Sequence, residues 1–281
     1  MEGLLQLTFL ERGIIAGLVI GFICPFVGAF LLVRRITVIS EALSHITLTG
    51  VTAGVFLSQL SSFIPFFNPM VSGLVFSLIG SIFVEKLRQI YKHFQEVAIP
   101  IILSAGIGLS ALLISLTSSS ITEWYSYLFG SIVTVSSNDL IFILVTGGIV
   151  FLLLILMYKE LLSISFDLEF ASTNGVSVRK INFFFSLFVA LVISISMKIV
   201  GILLVGAIVT LPVAASTQFA KSFKQIIYYG ILFSELSIVL GILASYYFDI
   251  ATGGMIVVFN VIILMITLIL KRVKSSVFQD K

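Results

Sequence analysis

Charge is what this 281-residue sequence has least of. Only 10% of it is Asp, Glu, Lys or Arg, while 59% is hydrophobic. A water-soluble domain carries about 25% charged residues, so this chain cannot coat a water-facing surface of its size. Cysteine is nearly absent too. Cys24 is the single one and lies in an apolar run, which excludes an intrachain disulfide and a thiolate metal site. With only two histidines no Ser-His-Asp or Cys-His arrangement suggests itself, and neither GxxxxGK[ST] nor HExxH occurs. The chain therefore has no phosphate loop of its own. What it has instead is mean hydropathy of +1.22 and 26 phenylalanines against one tryptophan, the composition of lipid-facing helices.

Apolar runs recur at about Ile14–Val33, Ile46–Ile64, Met70–Val84, Val97–Leu116, Leu140–Tyr158, Ile181–Met197, Ile199–Phe219, Ile226–Phe248 and Met255–Leu270. Each approaches the roughly 20 residues that span a bilayer. The run after Arg12 is too long for the core of a signal peptide and is read as a retained first helix. The sixth and seventh runs meet at Lys198 with almost no loop, so the sequence fits eight or nine spans. Cytoplasmic loops collect Lys and Arg. With the N-terminus outside and nine spans, fourteen of the 16 basic residues fall inside, from Arg34 and Arg35 through Lys86, Arg88 and Lys92 to Lys281. Arg12 and Lys198 alone fall outside. The basic loops thus read as topology signals, and nucleic acid is not an expected partner. The expected architecture is all-α and polytopic, one membrane domain over residues 1–281.

Two loops are long. The outer one, Thr117–Asp139, carries Trp124, Tyr125 and Tyr127 and reads as an interfacial helix. The inner one, Lys159–Lys180, holds a helix-capable stretch at about Phe166–Thr173, stopped by Asn174-Gly175.

The sharpest constellation is Glu41 and His45 in RRITVISEALSHITLTG. Residues i and i+4 share a helix face, and a carboxylate beside an imidazole is half of a site for a hard or borderline metal. Two copies about a twofold axis would offer four ligands. The same spacing also fits a plain Glu–His hydrogen bond near the inner interface. Glu235 stands alone in the eighth run. Intramembrane acids usually face a pathway, so it could gate one, or it could simply hydrogen-bond a serine or a carbonyl. Pro212 interrupts the seventh run and reads as a packing kink among Gly201, Gly206, Ala207, Ala214 and Ala215. His93 and the acids Glu123 and Asp249 read as solvated loop residues, and Lys198 as a helix-end side chain reaching for water.

Three stretches, in order, resemble the permease subunits of bacterial zinc and manganese ABC importers. They are LLVRRITVISEALSHITLTGVTAG at Leu31–Gly54, FDLEFASTNGVSV at Phe166–Val178 and IVGILLVGAIVTLPVAA at Ile199–Ala215. The likeness runs over most of the chain. It implies a permease homodimer with a central pathway for Zn²⁺, or next Mn²⁺. It further implies two cytoplasmic ATP-binding subunits and an extracellular or periplasmic metal-binding protein. The metal-site residues map onto Glu41 and His45. The family commonly has Asp at the first, so Glu41 is a departure that keeps the oxygen ligand and changes its reach. The Lys159–Lys180 loop becomes the coupling segment, with Phe166, Asp167, Ala171 and Gly175 at its core.

The expectation is thus a transporter subunit in the bacterial plasma membrane, N-terminus outside and C-terminus inside. It is not an enzyme and holds no permanent cofactor. A permease for siderophores or cobalamin, an intramembrane metalloenzyme, and a passive channel or ion-coupled carrier are the competing readings.

Overall fold

The computed structural model describes residues 7–60, 69–91, 94, 97–117 and 121–279. His93, Lys92 and Lys281 lie outside these residues. Among them every regular element is helical: α1 Phe9–Val33, α2 Val38–Leu60, α3 Pro69–Ile90, α4 Ala98–Leu116, α5 Ile121–Phe129, α6 Ser137–Leu156, α7 Tyr158–Phe166, α8 Leu168–Thr173, α9 Val178–Val200, a 3-10 turn at Ile202–Leu204, α10 Val205–Ser216, α11 Phe223–Phe248 and α12 Thr252–Gln279. Eight of these, α1–α4, α6, α9, α11 and α12, are long and apolar enough to cross a membrane. Apolar composition makes each stable in lipid because a helix satisfies its own backbone.

The sixth and seventh apolar runs divide at Gly201, not at Lys198. Gly201 has φ +86°, a conformation that costs a glycine little, and a Cβ there would run into backbone atoms of Phe129 and Gly130. The chain turns through one 3-10 segment into α10, whose 12 residues span only about 18 Å. Ring and polar contacts define two ends of the bundle. At one, Arg12 donates to Ser137 Oγ, Phe9 meets Tyr246, and the Ser131 amide donates to the Lys198 carbonyl. At the other, Phe30 meets Tyr158 and Phe223, Phe166 meets Phe223, and Lys271 donates to Gln218. Segment α10 leads from the first end toward the second. It is a ninth passage too short to count by length.

Helices α1, α2 and α9 form the buried centre, while α4, α6 and α12 mostly face outward. Small residues set the spacing. Gly13, Gly17 and Gly21 line one ridge of α1, against Ile132 and against Ile238 and Ile242 of α11. Gly28 faces the Val209 carbonyl of α10. Gly50, Gly54, Gly73 and Gly80 bring α2 and α3 together.

The second end is basic. Arg34 donates to Asn182 Oδ1, lies over the Phe185 ring at 5.1 Å, and sits near Glu85 and Arg88. Burial, with Arg88 adding and Glu85 opposing, pulls its guanidinium down to about 10. Lys198 is at the other end and is more than a side chain reaching for water. Its ammonium lies 3.3 Å from Asp139, which is itself buried and caps α6 through Ser136.

Candidate functional site

Helix α2 is the least hydropathic of the spans yet one of the most enclosed. Its hydroxyls explain how. Ser40, Ser44, Thr47, Thr49, Thr52 and Ser58 each donate to a backbone carbonyl, which satisfies a polar group inside a helix at little cost. Two side chains in the first turns of the helix escape this. Glu41 makes no hydrogen bond or ion pair among the described residues, and the buried His45 Nδ1 has no partner. A simple Glu–His hydrogen bond is therefore not what this spacing produces.

Both are half-buried, and both are backed by a glycine from another helix. A Cβ placed on Gly206 of α10 would sit 2.6 Å from the carboxyl carbon of Glu41. A Cβ on Gly106 of α4 would sit 3.1 Å from the Cβ of His45. Thr49 holds that second approach, since its hydroxyl reaches the carbonyls of both His45 and Gly106. Ile46 in turn faces Gly80. Gly80 and Gly106 are near the middles of α3 and α4, so His45 lies at mid-helix depth, further in than an interfacial residue. Among the described residues no group of three or more His, Cys, Asp or Glu could hold a metal within this chain. One subunit contributes two donors, one hard and one borderline.

Glu235 lies elsewhere. It is at the middle of α11, which packs chiefly on α1, α10 and α12. Its carboxyl rests beside Gly21, and its Oε2 is buried with no partner. An apolar groove of about 480 Å³, lined by Phe22, Tyr228, Leu232 and Leu236 among others, opens over it on the outward face. Pro212 is inside α10 and buried.

The Lys159–Lys180 segment folds as two short helices where the residue pattern suggests one. Phe166 ends α7, and Asp167, extended at φ −148°, starts α8 by accepting from the Phe170 amide at 2.8 Å. Ala171 is fully buried. Asn174-Gly175 stops α8 as expected, with Gly175 at φ +82° and the Val176 amide donating back to Ala171. Phe166, Leu168 and Phe170 stand exposed at the basic end. The Thr117–Asp139 segment contains a short helix, α5, with Trp124 turned inward and Tyr125 outward. Asp139 is the residue this loop hides. Its one readable signal is a capping-box position after Ser136. At the same end a cleft of about 560 Å³ opens between Phe9, Tyr125, Ile132 and Asp249.

Comparison with known proteins follows this geometry. The manganese transport system membrane protein MntC of Listeria monocytogenes is 29% identical over 100% of this chain and 97% of its own. The high-affinity zinc uptake system membrane protein ZnuB of Haemophilus influenzae is 28% identical over 91% and 95%. The structure of PsaBC from Streptococcus pneumoniae in complex with Fab aligns at TM-score 0.79 and 28% identity, over 95% of this chain and 93% of that one. The ABC 3 transport family matches residues 6–271. The chain thus belongs to the ABC 3 transport family, as a multi-pass permease subunit that is not itself an enzyme.

Proposed function

We propose that this subunit carries a divalent transition-metal ion inward across the membrane, with Glu41 and His45 as its ligands in transit. The observation that carries this reading lies on α2, a helix whose hydroxyls are otherwise bonded to carbonyls: His45 Nδ1 is buried with no partner, and the half-buried Glu41 on the same face makes no hydrogen bond among the described residues. A buried polar group without a partner costs free energy, and a cation that both groups can ligate offsets that cost. Two ligands per chain suit a transport site, because an ion held too well is not released. A second copy about a twofold axis would bring the set to two carboxylates and two imidazoles, enough for four-coordinate zinc. Imidazole ligation favours Zn²⁺ over Mn²⁺. Relatives named for each metal match at nearly the same identity, so the order Zn²⁺ first and Mn²⁺ next rests on the imidazole alone.

ATP supplies the work. The chain has no phosphate loop, so two ATP-binding subunits dock at the basic end. There the exposed Phe166, Leu168 and Phe170 form an apolar seat around Asp167, Ala171 and Gly175. Because Lys and Arg collect in the cytoplasm, that end faces inward and the N-terminus lies outside. A metal-binding protein delivers the ion at the outer end, where the cleft beside α5 opens.

The test is uptake of Zn²⁺ and of Mn²⁺, offered separately, by cells carrying the complete transporter with wild-type, Glu41→Ala or His45→Ala subunit. Collapse of uptake of one metal in both variants, at unchanged membrane level of the subunit, supports the site and names its cargo. Normal uptake in both variants refutes it.

A further inference from the structure

We propose that Gly206 is a positioning residue for the Glu41 carboxylate, and that its missing side chain sets where the oxygen ligand stands. This rests on the reading of Glu41 as a ligand and goes beyond it, since Gly206 is itself no ligand.

The three atoms that a Cβ at position 206 would meet first all belong to the Glu41 carboxyl group, with the carboxyl carbon at 2.6 Å and Oε2 at 3.3 Å. The tip of Glu41 therefore occupies the volume that a side chain would fill at this point on α10. Gly206 has ordinary helical geometry, because its φ is not among the positive ones, so nothing about the backbone demands glycine here. What demands it is the neighbour across the helix contact. The contact lies in the first turn of α10, where backbone dipoles favour a negative group.

A glutamate reaches one methylene further than an aspartate from the same backbone position. Gly206 leaves a place for that extra length, and the two residues together fix the ligand's distance from α2. A methyl group at 206 would displace the carboxylate from its place on the face of α2 that it shares with His45. Shortening residue 41 would relieve the overlap. Other glycines on these helices meet different things. Gly28 faces a backbone carbonyl, and Gly80 faces an isoleucine. Gly106 faces the backbone and Cβ of His45, whereas at position 206 the overlap falls on a candidate ligand's own donor group.

The experiment compares four subunits in the complete transporter: wild type, Gly206→Ala, Glu41→Asp and Glu41→Asp with Gly206→Ala. Initial uptake is measured against Zn²⁺ and Mn²⁺ concentration, and membrane levels are quantified. Equilibrium binding of each metal to the purified transporter in detergent is measured in parallel. Gly206→Ala is expected to raise the half-saturating metal concentration and weaken equilibrium binding by roughly 10-fold, as loss of ligand support does elsewhere. The maximal rate and membrane level should change far less. The double variant is expected to return to within about threefold of Glu41→Asp alone, because the overlap is gone.

If Gly206→Ala transports and binds metal like wild type, the inference is overturned while the ligand reading stands. It is equally overturned if Gly206→Ala is defective or fails to reach the membrane and Glu41→Asp does not restore it, because that marks a general packing defect. A Glu41→Ala control with normal uptake overturns both readings at once.

Discussion

Two glutamates lie near the middle of this bundle, and their surroundings differ in kind. Glu41 is on α2, enclosed among α3, α4 and α10, with its carboxyl pressed onto a glycine of a different helix. Glu235 is on α11, with its carboxyl beside Gly21 under an apolar groove on the outward face. Both carry the desolvation cost of an acid in low dielectric. Only Glu41 has an imidazole four residues on and a backbone-rich helix start alongside. The difference teaches that intramembrane charge alone does not mark a transport site. Glu41 differs in having a second candidate ligand on the same face, while each carboxyl lies against a glycine of another helix. Within this subunit no contact joins the two acids, since α11 packs chiefly on α1, α10 and α12.

The comparison breaks most directly at the acids themselves. Glu41→Ala is expected to lower metal uptake by about 100-fold, at the upper end of the effects of disturbing a metal's ligands. Glu235→Ala should lower it by less than about threefold, in the range of a substitution outside the pathway. Equal losses in whole-cell uptake would put Glu235 on the pathway and erase the contrast.

Solvent and lipid access gives a second, smaller contrast. A cysteine at 41 is expected to react with a membrane-permeant maleimide about 10-fold faster than one at 235, since the apolar groove over 235 suppresses the reactive thiolate. The chain's own cysteine, Cys24, is fully buried and pushed away from reactivity by its apolar surroundings. Labelling at matched rates would mean that water reaches the groove over Glu235 as readily as it reaches Glu41.

A milder change sharpens the view of the inner site. Thr49→Val removes the hydroxyl shared between the His45 and Gly106 carbonyls, a loss of about 1 kcal/mol. Uptake should fall by a few-fold, and the midpoint of thermal aggregation in detergent should drop slightly. Unchanged uptake would mean that the glycine contact alone holds α4 at His45.

The smallest effect is expected at Gly21→Ala, the counterpart of Gly206 beneath Glu235. The new Cβ would meet Ile238 Cδ1 at 2.7 Å and Glu235 Oε1 at 3.0 Å. Both are ends of flexible side chains beside an open groove, so they can move. Uptake within about twofold of wild type is the expected result, in keeping with overpacking that the site can absorb. A large loss would show that α1 and α11 are as tightly tied as α2 and α10.

Much of the architecture was legible because it depends on local solvation. Apolar runs of membrane length and the clustering of Lys and Arg fall out of composition, and Arg12 and Lys198 stand apart from the basic end as the charge pattern suggests. The cap at Asp167 and the stop at Asn174-Gly175 are readable because caps act within a few residues of backbone. The division of the inner loop into α7 and α8 was harder, because Asp167 can both extend the chain and start a helix. The break before α10 was legible as a crowding of two runs, but its place was not. Lys198 drew attention by its charge, whereas Gly201 supplies the backbone conformation, and its close neighbours come from α5, far back in the chain. For the same reason the ion pair between Lys198 and Asp139 could not be read from either helix alone.

The sequence by itself determined that the chain spans a membrane, how its ends sort by charge, and that Glu41 and His45 share one face of α2. These follow from transfer free energy and helical period, which act along a single segment. Only the tertiary structure decided that His45 stands at the middle of α3 and α4, that Glu235 opens on an outward groove, and that Gly206 makes room for Glu41. Those facts depend on which small residue of one helix meets which side chain of another. That register is set by close packing between helices, and no single helix carries it in its own periodicity.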